Sequence, residues 1–491
     1  MNRSEVIGRL QDERLDVLVV GGGIVGAGIA RDAAMRGLRI GLAEQADFAS
    51  GTSSRSSRLL HGGLRYLEQG RIGLVREASL EKKILHRIAP HLSRPLGFVF
   101  PAYRHQGRPL WQLRIGVRLY DLLCSGRNFR PSRGLSRSET LESVPGLNSE
   151  NLSGAALYYD ALTNDARLVI DTLRSAERHG AALLNYCRFH DAHRTGNTWQ
   201  VEAEDVVSGA ALKLRAATII NATGPWADRI PHSGVHLRLS KGVHIVLHHS
   251  RLPVSQAVVI TEGRRILFVI PWSDRVIVGT TDTDYYAAPE EVRVEADDLS
   301  YLLETLRRFF PEAEIGSRDI ITSWAGLRPL VAEKDGAPSD ISRAHQITSP
   351  EPGWWDVAGG KLTTYRLMAQ QTVNEIVRFL NVVVSPCRTA EEPLLPAVAE
   401  NKSPDGPVAP GAEFSRIDPA PWSAEAVRHF VTQEWAVHAE DVLLRRSGWQ
   451  NHDRLSRDQV EQVVTWMAEA AGWCRERFDA ERIAAGRSVS C

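Results

Sequence analysis

Residues 16–44 read DVLVVGGGIVGAGIARDAAMRGLRIGLAE, in which a glycine-rich turn follows an apolar run. The apolar run DVLVV is typical of a parallel strand that is buried on both faces. Residues 24–36 have the pattern of a helix that ends at Gly37, and RIGLAE has the pattern of a second strand. The stretch therefore predicts a βαβ unit and, with it, an α/β fold with a Rossmann-like domain.

The turn between the first strand and the helix carries a G-x-G-x-x-G fingerprint, Gly21-Gly22-Gly23-Ile24-Val25-Gly26. Gly21 allows a tight turn, Gly23 lets the backbone approach a pyrophosphate, and Gly26 lets helix and strand pack closely. Glu44 ends the second strand, where it can accept hydrogen bonds from a ribose. The fingerprint predicts a bound dinucleotide, but it does not by itself choose between NAD and FAD.

Three later segments favour FAD. The segment ASGTSSRSSRLLHGGLRYLE at 49–68 supplies hydroxyls and glycines for a pyrophosphate and a ribityl chain, although a polar surface loop would have the same composition. IINATGPWAD at 219–228 and DVAGGKLTTYR at 356–366 return the chain to the cofactor, and a helix over 362–380 would aim its first amides at a reduced isoalloxazine. The cofactor-binding residues predicted from these segments are Thr52, Ser53, Ser56, His61, Gly224, Gly359, Gly360, Leu362 and Thr363.

The rest of the chain predicts further units. Short β-rich runs between about 150 and 350 indicate a second, antiparallel or mixed sheet, and helices are predicted at 424–446 and 457–485 with Ser456 as an N-cap. We expect an oxidoreductase region over 14–390, in which about 14–90, 165–235 and 350–380 bind FAD and about 91–164 and 236–349 form an inserted substrate domain. A linker at 391–421 and a small helical domain at 422–491 follow.

Composition excludes several classes of protein. At roughly 150 residues per domain, 491 residues suit two or three domains. Lys plus Arg and Asp plus Glu both number 59, so the zero net charge gives no reason to expect nucleic acid as a partner. Five cysteines without Cys-x-x-Cys spacing predict neither a disulfide scaffold nor a metal site, and they fit a reducing cytoplasm. The N-terminus has no apolar secretory signal, and the longest uncharged stretch, 17–30, is shorter than the roughly 18 residues of a membrane span.

Five motifs carry a resemblance to a known family: GGGIVGAGIARDAAMRG, TSSRSSRLLHGGLRYLE, INATGPWAD, GLRPL and GGKLTTYR. Over about residues 14–380 they resemble the FAD-dependent glycerol-3-phosphate dehydrogenases, within the D-amino acid oxidase-like flavoenzymes. EWAVHAEDVLLRR further along resembles the closing helical domain of that family. Two features depart from the family pattern: the segment 380–435 is shorter, without the expected Leu-Pro-Gly-Gly, and Arg58 stands where Lys is usual.

The resemblance implies that sn-glycerol 3-phosphate is oxidised to dihydroxyacetone phosphate, with a hydride passing from C2 to FAD N5 and electrons passing on to quinone. It implies catalytic roles for His244, Arg328 and Lys361, with His244 as the proton acceptor, and it places Arg65, Tyr66 and Arg343 at the substrate. Arginine and lysine are suited to a phosphate dianion, and oxidation of a secondary alcohol needs a base.

From the residues alone, several alternatives stay open. Each arginine could be a solvated surface residue, and His244 could be a core histidine. The function could also be that of a related polyol-phosphate dehydrogenase or oxidase, an NAD-linked hydroxy acid dehydrogenase, or a flavin-binding scaffold without turnover.

Residues 104–137 hold eight arginines and one aspartate, with Trp111 and Tyr120 interleaved. This region is either a solvated face or a surface that contacts anionic lipid headgroups. We therefore expect a cytoplasmic protein that reaches quinone as a peripheral protein on the cytoplasmic face of the inner membrane. A homodimer is among the assemblies that the sequence leaves open.

Overall fold

The computed structural model describes residues 2–68, 70–105, 107–124, 128–263, 265–331, 345–395 and 412–488. These residues form a mixed α/β fold around two sheets, which confirms the predicted fold class. The strands are β1 (Arg14–Val20), β2 (Ile40–Ala43), β3 (Leu59–Leu60), β4 (Arg94–Tyr103), β5 (Arg133–Leu135), β6 (Leu152–Leu162), β7 (Ala182–Leu184), β8 (Cys187–Thr195), β9 (Thr198–Asp205), β10 (Ala210–Asn221), β11 (Leu237–His248), β12 (Ala257–Glu262), β13 (Arg265–Trp272), β14 (Arg275–Gly279), β15 (Thr283–Tyr285), β16 (Ile320–Val331), β17 (His345–Thr348) and β18 (Trp354–Gly359).

The helices lie on both sides of the first sheet, around the second sheet and in the C-terminal region. They are α1 (Arg3–Asp12), α2 (Ile24–Met35), α3 (Arg65–Glu68), α4 (Ile72–Ile88), α5 (Leu110–Leu123), α6 (Arg137–Ser143), α7 (Asp165–Arg178), α8 (Ala296–Phe309), α9 (Tyr365–Leu380), α10 (Ala424–Gln433), α11 (Trp449–His452), α12 (Arg457–Ala471) and α13 (Arg475–Ser488).

The first sheet has the strand order β17-β18-β10-β1-β2-β7, and β8 and β9 extend it beside β10. Strand β1 pairs in parallel with β2 and β10, and β18 pairs in parallel with β10. Strand β1, helix α2 and strand β2 form the βαβ unit predicted for 16–44. Because the carboxyl ends of parallel strands face one edge of a sheet, the segments after β1, β10 and β18 converge there.

The second sheet has the order β15-β11-β14-β13-β12-β4-β6-β3, with β16 on β11 and β5 on β6. It is mixed, because β4 and β12 are parallel while β11 is antiparallel to β14 and β16. Two β-rich runs expected in this sheet, β9 and β10, belong instead to the first sheet. Alternation of side chains predicts a strand, but it does not predict the strand's partner.

The C-terminal region is helical, but each of the two helices predicted there is divided. Helix α10 is followed by Trp435 with a φ of 57°, and a π-helical turn, Asp441–Arg446, comes after it. Ser456 caps α12 as predicted, and Gly472, with a φ of 66°, ends this helix before α13. Left-handed backbone at these two residues stops the helical hydrogen-bond ladder.

Most of the predicted linker, 396–411, lies outside the described residues, and at its two ends Leu394 and Ile417 are buried. Among the described helices, none is both long and apolar enough to cross a membrane. The cysteines that the structure describes, Cys124, Cys187, Cys387 and Cys474, are free thiols.

Candidate functional site

A cavity of about 380 Å³ lies at the carboxyl edge of the first sheet. Gly21 after β1, Gly224 after β10 and Gly359 at the end of β18 all line it. The predicted cofactor-binding residues that contribute to its wall are Gly21, Gly23, Glu44, Thr52, Ser53, Gly224, Gly359, Gly360 and Leu362. Segments that are far apart in the sequence therefore meet in one cradle, as expected for a long cofactor.

The glycines of the fingerprint have distinct steric roles. Gly21 has a φ of 108°, and a Cβ added there would lie 2.6 Å from the carbonyl oxygen of Ala222. A Cβ on Gly26 would lie 1.9 Å from the carbonyl oxygen of Gly21. A Cβ on Gly23 would meet only Ser53 Oγ, at 3.2 Å, and this hydroxyl accepts a hydrogen bond from the Ile24 amide at 3.0 Å. Backbone geometry thus requires Gly21 and Gly26, whereas Gly23 leaves space in the cradle.

Glu44 lies half-buried at the wall of the same cavity. Its carboxylate accepts hydrogen bonds from the amides of Gly22 at 2.6 Å and Ala46 at 2.9 Å. Burial raises the pKa of Glu44, while these two amides oppose the rise. Each carboxylate oxygen can accept a second hydrogen bond, so Glu44 can still bind a ribose hydroxyl.

A larger cavity of about 700 Å³ adjoins the cradle and shares part of its wall, including Thr52, Ser53, Gly360, Lys361 and Leu362. Its wall combines charged side chains with apolar side chains of the second sheet, such as Phe98 and Phe268. The other predicted residues that line this chamber are Ser56, His61, Tyr66, His244 and Arg328.

His244 lies on β11 and is 2% exposed. Its Nε2 is hydrogen-bonded to Ser57 Oγ at 2.8 Å, and its ring stacks on Trp324 with 5.3 Å between centroids. Burial, with the positive charges of Arg328 and Arg58, lowers the pKa of His244 to about 3. The imidazole is therefore neutral at ordinary pH and is in the form that can accept a proton.

The two predicted cations, Arg328 and Lys361, line the chamber together with this histidine. Arg328 on β16 donates to Asp282 Oδ1 at 3.2 Å and to Thr280 Oγ1 at 2.9 Å. Lys361 Nζ lies 3.8 Å from the centroid of the Tyr66 ring, so a cation–π contact holds the ammonium. The structure thus gathers a neutral base and two cations from three separate segments, which is a suitable set for a phosphorylated alcohol.

Other predicted residues take supporting positions or fall outside the description. Gly22 and Gly26 lie behind the cradle, and Thr363 Oγ1 accepts a hydrogen bond from the His61 amide at 3.1 Å. The Ser56 hydroxyl donates to Asp165 Oδ2 at 2.7 Å. Arg343 and the side chain of Arg65 lie outside the described residues, so their substrate contacts stay predictions.

Sequence reasoning missed four residues around His244 and Arg328. Ser57 and Trp324 contact the imidazole, and Asp282 pairs with Arg328. Arg58 is buried with its guanidinium 4.3 Å from the Trp272 ring centroid. The polar run TTD after the strand RVIVG was a signal for Asp282, but no local pattern indicates the contact that Trp324 makes.

The chain is similar to known flavoenzymes over most of its length. Residues 16–370 match the family model described as FAD dependent oxidoreductase. The aerobic glycerol-3-phosphate dehydrogenases of Bacillus subtilis and Staphylococcus haemolyticus are 38% and 36% identical to it over 405 and 407 residues, which is 80% of this chain and 73% of each relative.

Two solved structures of flavoenzymes are also similar to this chain. The glycerol-3-phosphate dehydrogenase from Bacillus halodurans complexed with FAD superposes with a TM-score of 0.77 at 30% identity, over 99% of this chain and 96% of that chain. The L-alpha-glycerophosphate oxidase from Mycoplasma pneumoniae with FAD bound has a TM-score of 0.62 at 18% identity, over 78% of this chain and 99% of that chain, and shares the fold.

Proposed function

Because this chain belongs to the family of FAD-dependent oxidoreductases, we propose that it oxidises sn-glycerol 3-phosphate to dihydroxyacetone phosphate. One observation carries the proposal: the dinucleotide cradle opens into a chamber that holds His244, Arg328 and Lys361 together. A phosphate dianion needs cations, and a secondary alcohol needs a proton acceptor. Relatives named as aerobic glycerol-3-phosphate dehydrogenases support the choice of substrate.

The residues present fit FAD. The cradle lacks side chains where the backbone turns closest, at Gly21 and Gly26, and its two joined cavities suit a cofactor with a nucleotide half and a flavin half. Glu44 would hold the ribose, and Thr52 and Ser53 lie at the junction of the cavities. When bound there, FAD supplies the two-electron acceptor for the hydride that leaves C2 of the substrate.

The chain's own residues supply the rest of the chemistry. We assign the substrate hydroxyl proton to His244 Nε2, which Ser57 Oγ already contacts at 2.8 Å. Arg328 and Lys361 would bind the phosphate and stabilise negative charge on the oxygen as the proton leaves. Tyr66 holds the Lys361 ammonium, and Asp282 and Thr280 hold the Arg328 guanidinium. Arg65 and Arg343 are proposed to complete the substrate site.

We propose quinone as the electron acceptor, reached from a peripheral position on the cytoplasmic face of the inner membrane. Helix α5 supports this, because Trp111, Ile115 and Leu122 on it are 61%, 58% and 68% exposed. Exposed Arg114 and Arg118 lie on the same helix, and arginines near an anionic leaflet are worth about 1 kcal/mol each. The buried side of α5 reaches the larger cavity through Leu113.

The test is anaerobic reduction of the purified yellow protein. We expect glycerol 3-phosphate to bleach the flavin absorbance, whereas glycerol, 2-hydroxy acids and amino acids leave it unchanged at equal concentration. Reoxidation by a soluble quinone should be faster than reoxidation by oxygen. Bleaching by glycerol as readily as by its phosphate would refute the substrate assignment, and faster reaction with oxygen would refute the acceptor.

A further inference from the structure

A buried set of charges connects the C-terminal region with the cofactor cradle. We call residues 44–53 the cofactor loop, because Glu44, Ser50, Thr52 and Ser53 of this segment line the smaller cavity. Asp47, in the middle of the loop, is fully buried and points away from the cavity wall toward residues 441–446. The loop is therefore held between its ligand side and the C-terminal region.

Two arginines of the π-helical turn bind the Asp47 carboxylate. Arg446 donates to both of its oxygens, at 2.7 and 2.8 Å, and Arg445 Nε donates to Oδ2 at 2.5 Å. Although burial raises it, the charges of Arg446 and Arg445 keep the pKa of Asp47 below its ordinary value. Arg445 also donates to Asp441 Oδ1 at 2.7 Å, and Arg446 Nε donates to the carbonyl oxygen of Glu434 at 2.8 Å. Contacts within the C-terminal region thus orient both guanidiniums toward the loop.

Asp47 in turn shapes the part of the loop that faces the cradle. Its carbonyl oxygen accepts a hydrogen bond from the Ser50 amide at 3.1 Å, which sets the turn into the cavity wall. Phe48 packs edge-on against Trp435, with 5.4 Å between ring centroids, and its other side occupies the space beside Gly22. The Ala49 amide donates to the carbonyl oxygen of Gly22 at 3.1 Å. A shift of the C-terminal region would therefore move the glycine turn as well as the loop.

A second buried ion pair joins the C-terminal region to the same domain without contacting the cofactor loop. Arg167 on α7 donates to both carboxylate oxygens of Glu434, at 2.5 and 2.8 Å, and both side chains are buried. Its chemistry and burial match those of the Arg446–Asp47 pair. Removing one partner of a buried ion pair is strongly destabilising, and this holds for both pairs. Substitution of Arg167 is therefore a control for the general loss of stability that substitution of Arg446 also causes.

We infer that Arg445 and Arg446 are positioning residues for FAD, because they hold the cofactor loop in the shape that forms the cradle. Docking of residues 441–446 against the cofactor loop and binding of FAD are then coupled, and linkage requires that each stabilises the other equally. This inference rests on FAD binding alone and holds whatever the substrate and the electron acceptor are.

The first test compares flavin release from the purified holoenzyme of matched variants. We expect Arg446→Met and Asp47→Asn to lose FAD at least about tenfold faster than wild type, with Arg446→Lys intermediate. Arg167→Met should lose a similar amount of thermal stability but release FAD at close to the wild-type rate. Equal acceleration in Arg446→Met and Arg167→Met would overturn the inference, because FAD loss would then follow general destabilisation.

The second test needs no variant. Hydrogen exchange is measured on holoenzyme and on protein from which FAD has been removed. We expect FAD to slow exchange of backbone amides at 441–446 by at least about fivefold, while α8, which packs against the second sheet, changes little. Unchanged exchange at 441–446 on FAD binding would refute the coupling even if wild-type activity toward glycerol 3-phosphate is as proposed.

Discussion

Substitutions of two fingerprint glycines should separate folding of the cradle from binding in it. In Gly26→Ala the new Cβ would lie 1.9 Å from the Gly21 carbonyl oxygen, where ordinary contact begins at 3.4 Å. The obstacle is backbone on a turn fixed by β1, so relief needs a shift of about 1.5 Å in the cradle itself. Overpacking of this kind costs about 1–3 kcal/mol, and we expect loss of both stability and FAD.

Gly23→Val should retain stability and lose only the flavin, unlike Gly26→Ala. A Cβ at Gly23 meets only the rotatable Ser53 Oγ, at 3.2 Å, so the protein without flavin should unfold within a few degrees of wild type. The valine methyl groups, however, would fill the space through which a pyrophosphate approaches the first turn of α2. We therefore expect a stable, colourless protein.

The assay is the ratio of flavin to protein absorbance after purification, together with thermal unfolding after removal of FAD. Gly116→Ala in α5 is the matched control, because its Cβ would meet nothing within 4 Å, and it should be stabilised by about 0.5–1 kcal/mol with full flavin. Full flavin content in Gly23→Val would refute the role of the fingerprint. Wild-type stability in Gly26→Ala would refute the steric argument.

Acid precipitation should release all of the flavin to the supernatant, since we expect noncovalent FAD; a yellow pellet would contradict this. Arg328→Ala and Lys361→Ala should each retain FAD and lower kcat/KM for glycerol 3-phosphate by a factor that corresponds to about 2–4 kcal/mol of transition-state stabilisation. A decrease in kcat/KM of less than about tenfold would count against a direct contact with the substrate. Burial lowers the pKa of His244 from 6.5 to about 3. Between pH 6.5 and about 3 the unfolded chain therefore binds a proton that the native state does not, so the free energy of unfolding decreases as the pH is lowered through this range. His244→Gln should flatten this dependence by about 1.4 kcal/mol per pH unit in urea titrations, and an unaltered slope would disprove the low pKa. Flotation with anionic vesicles at low salt should be lost in Trp111→Ser and kept in Tyr286→Ser, which removes an aromatic that is 87% exposed elsewhere; equal flotation of both variants would exclude α5 as the contact.

Local patterns were sufficient for the parts of the fold that depend on neighbouring residues. The βαβ unit and the Ser456 cap could be predicted because strand alternation, helical periodicity and side-chain capping act within a few positions. The same patterns assigned β9 and β10 to the wrong sheet, since a strand's partner is chosen by packing over long distances. They also missed the break at Trp435, which tertiary contacts hold in left-handed backbone.

The candidate site likewise combines features that depend on neighbouring residues with features that depend on long-range packing. The glycine turn could be predicted from the sequence, because the positive φ of Gly21 and the close approach at Gly26 are properties of a short stretch of backbone. Three features follow from long-range packing instead: Ser57 contacts His244, the imidazole is kept neutral, and Arg446 binds Asp47. A pKa depends on burial and on charges from every segment that packs nearby, and Asp47 and Arg446 are 399 positions apart. No pattern within a window of sequence contains that information, because the pairing exists only once both segments have been buried together.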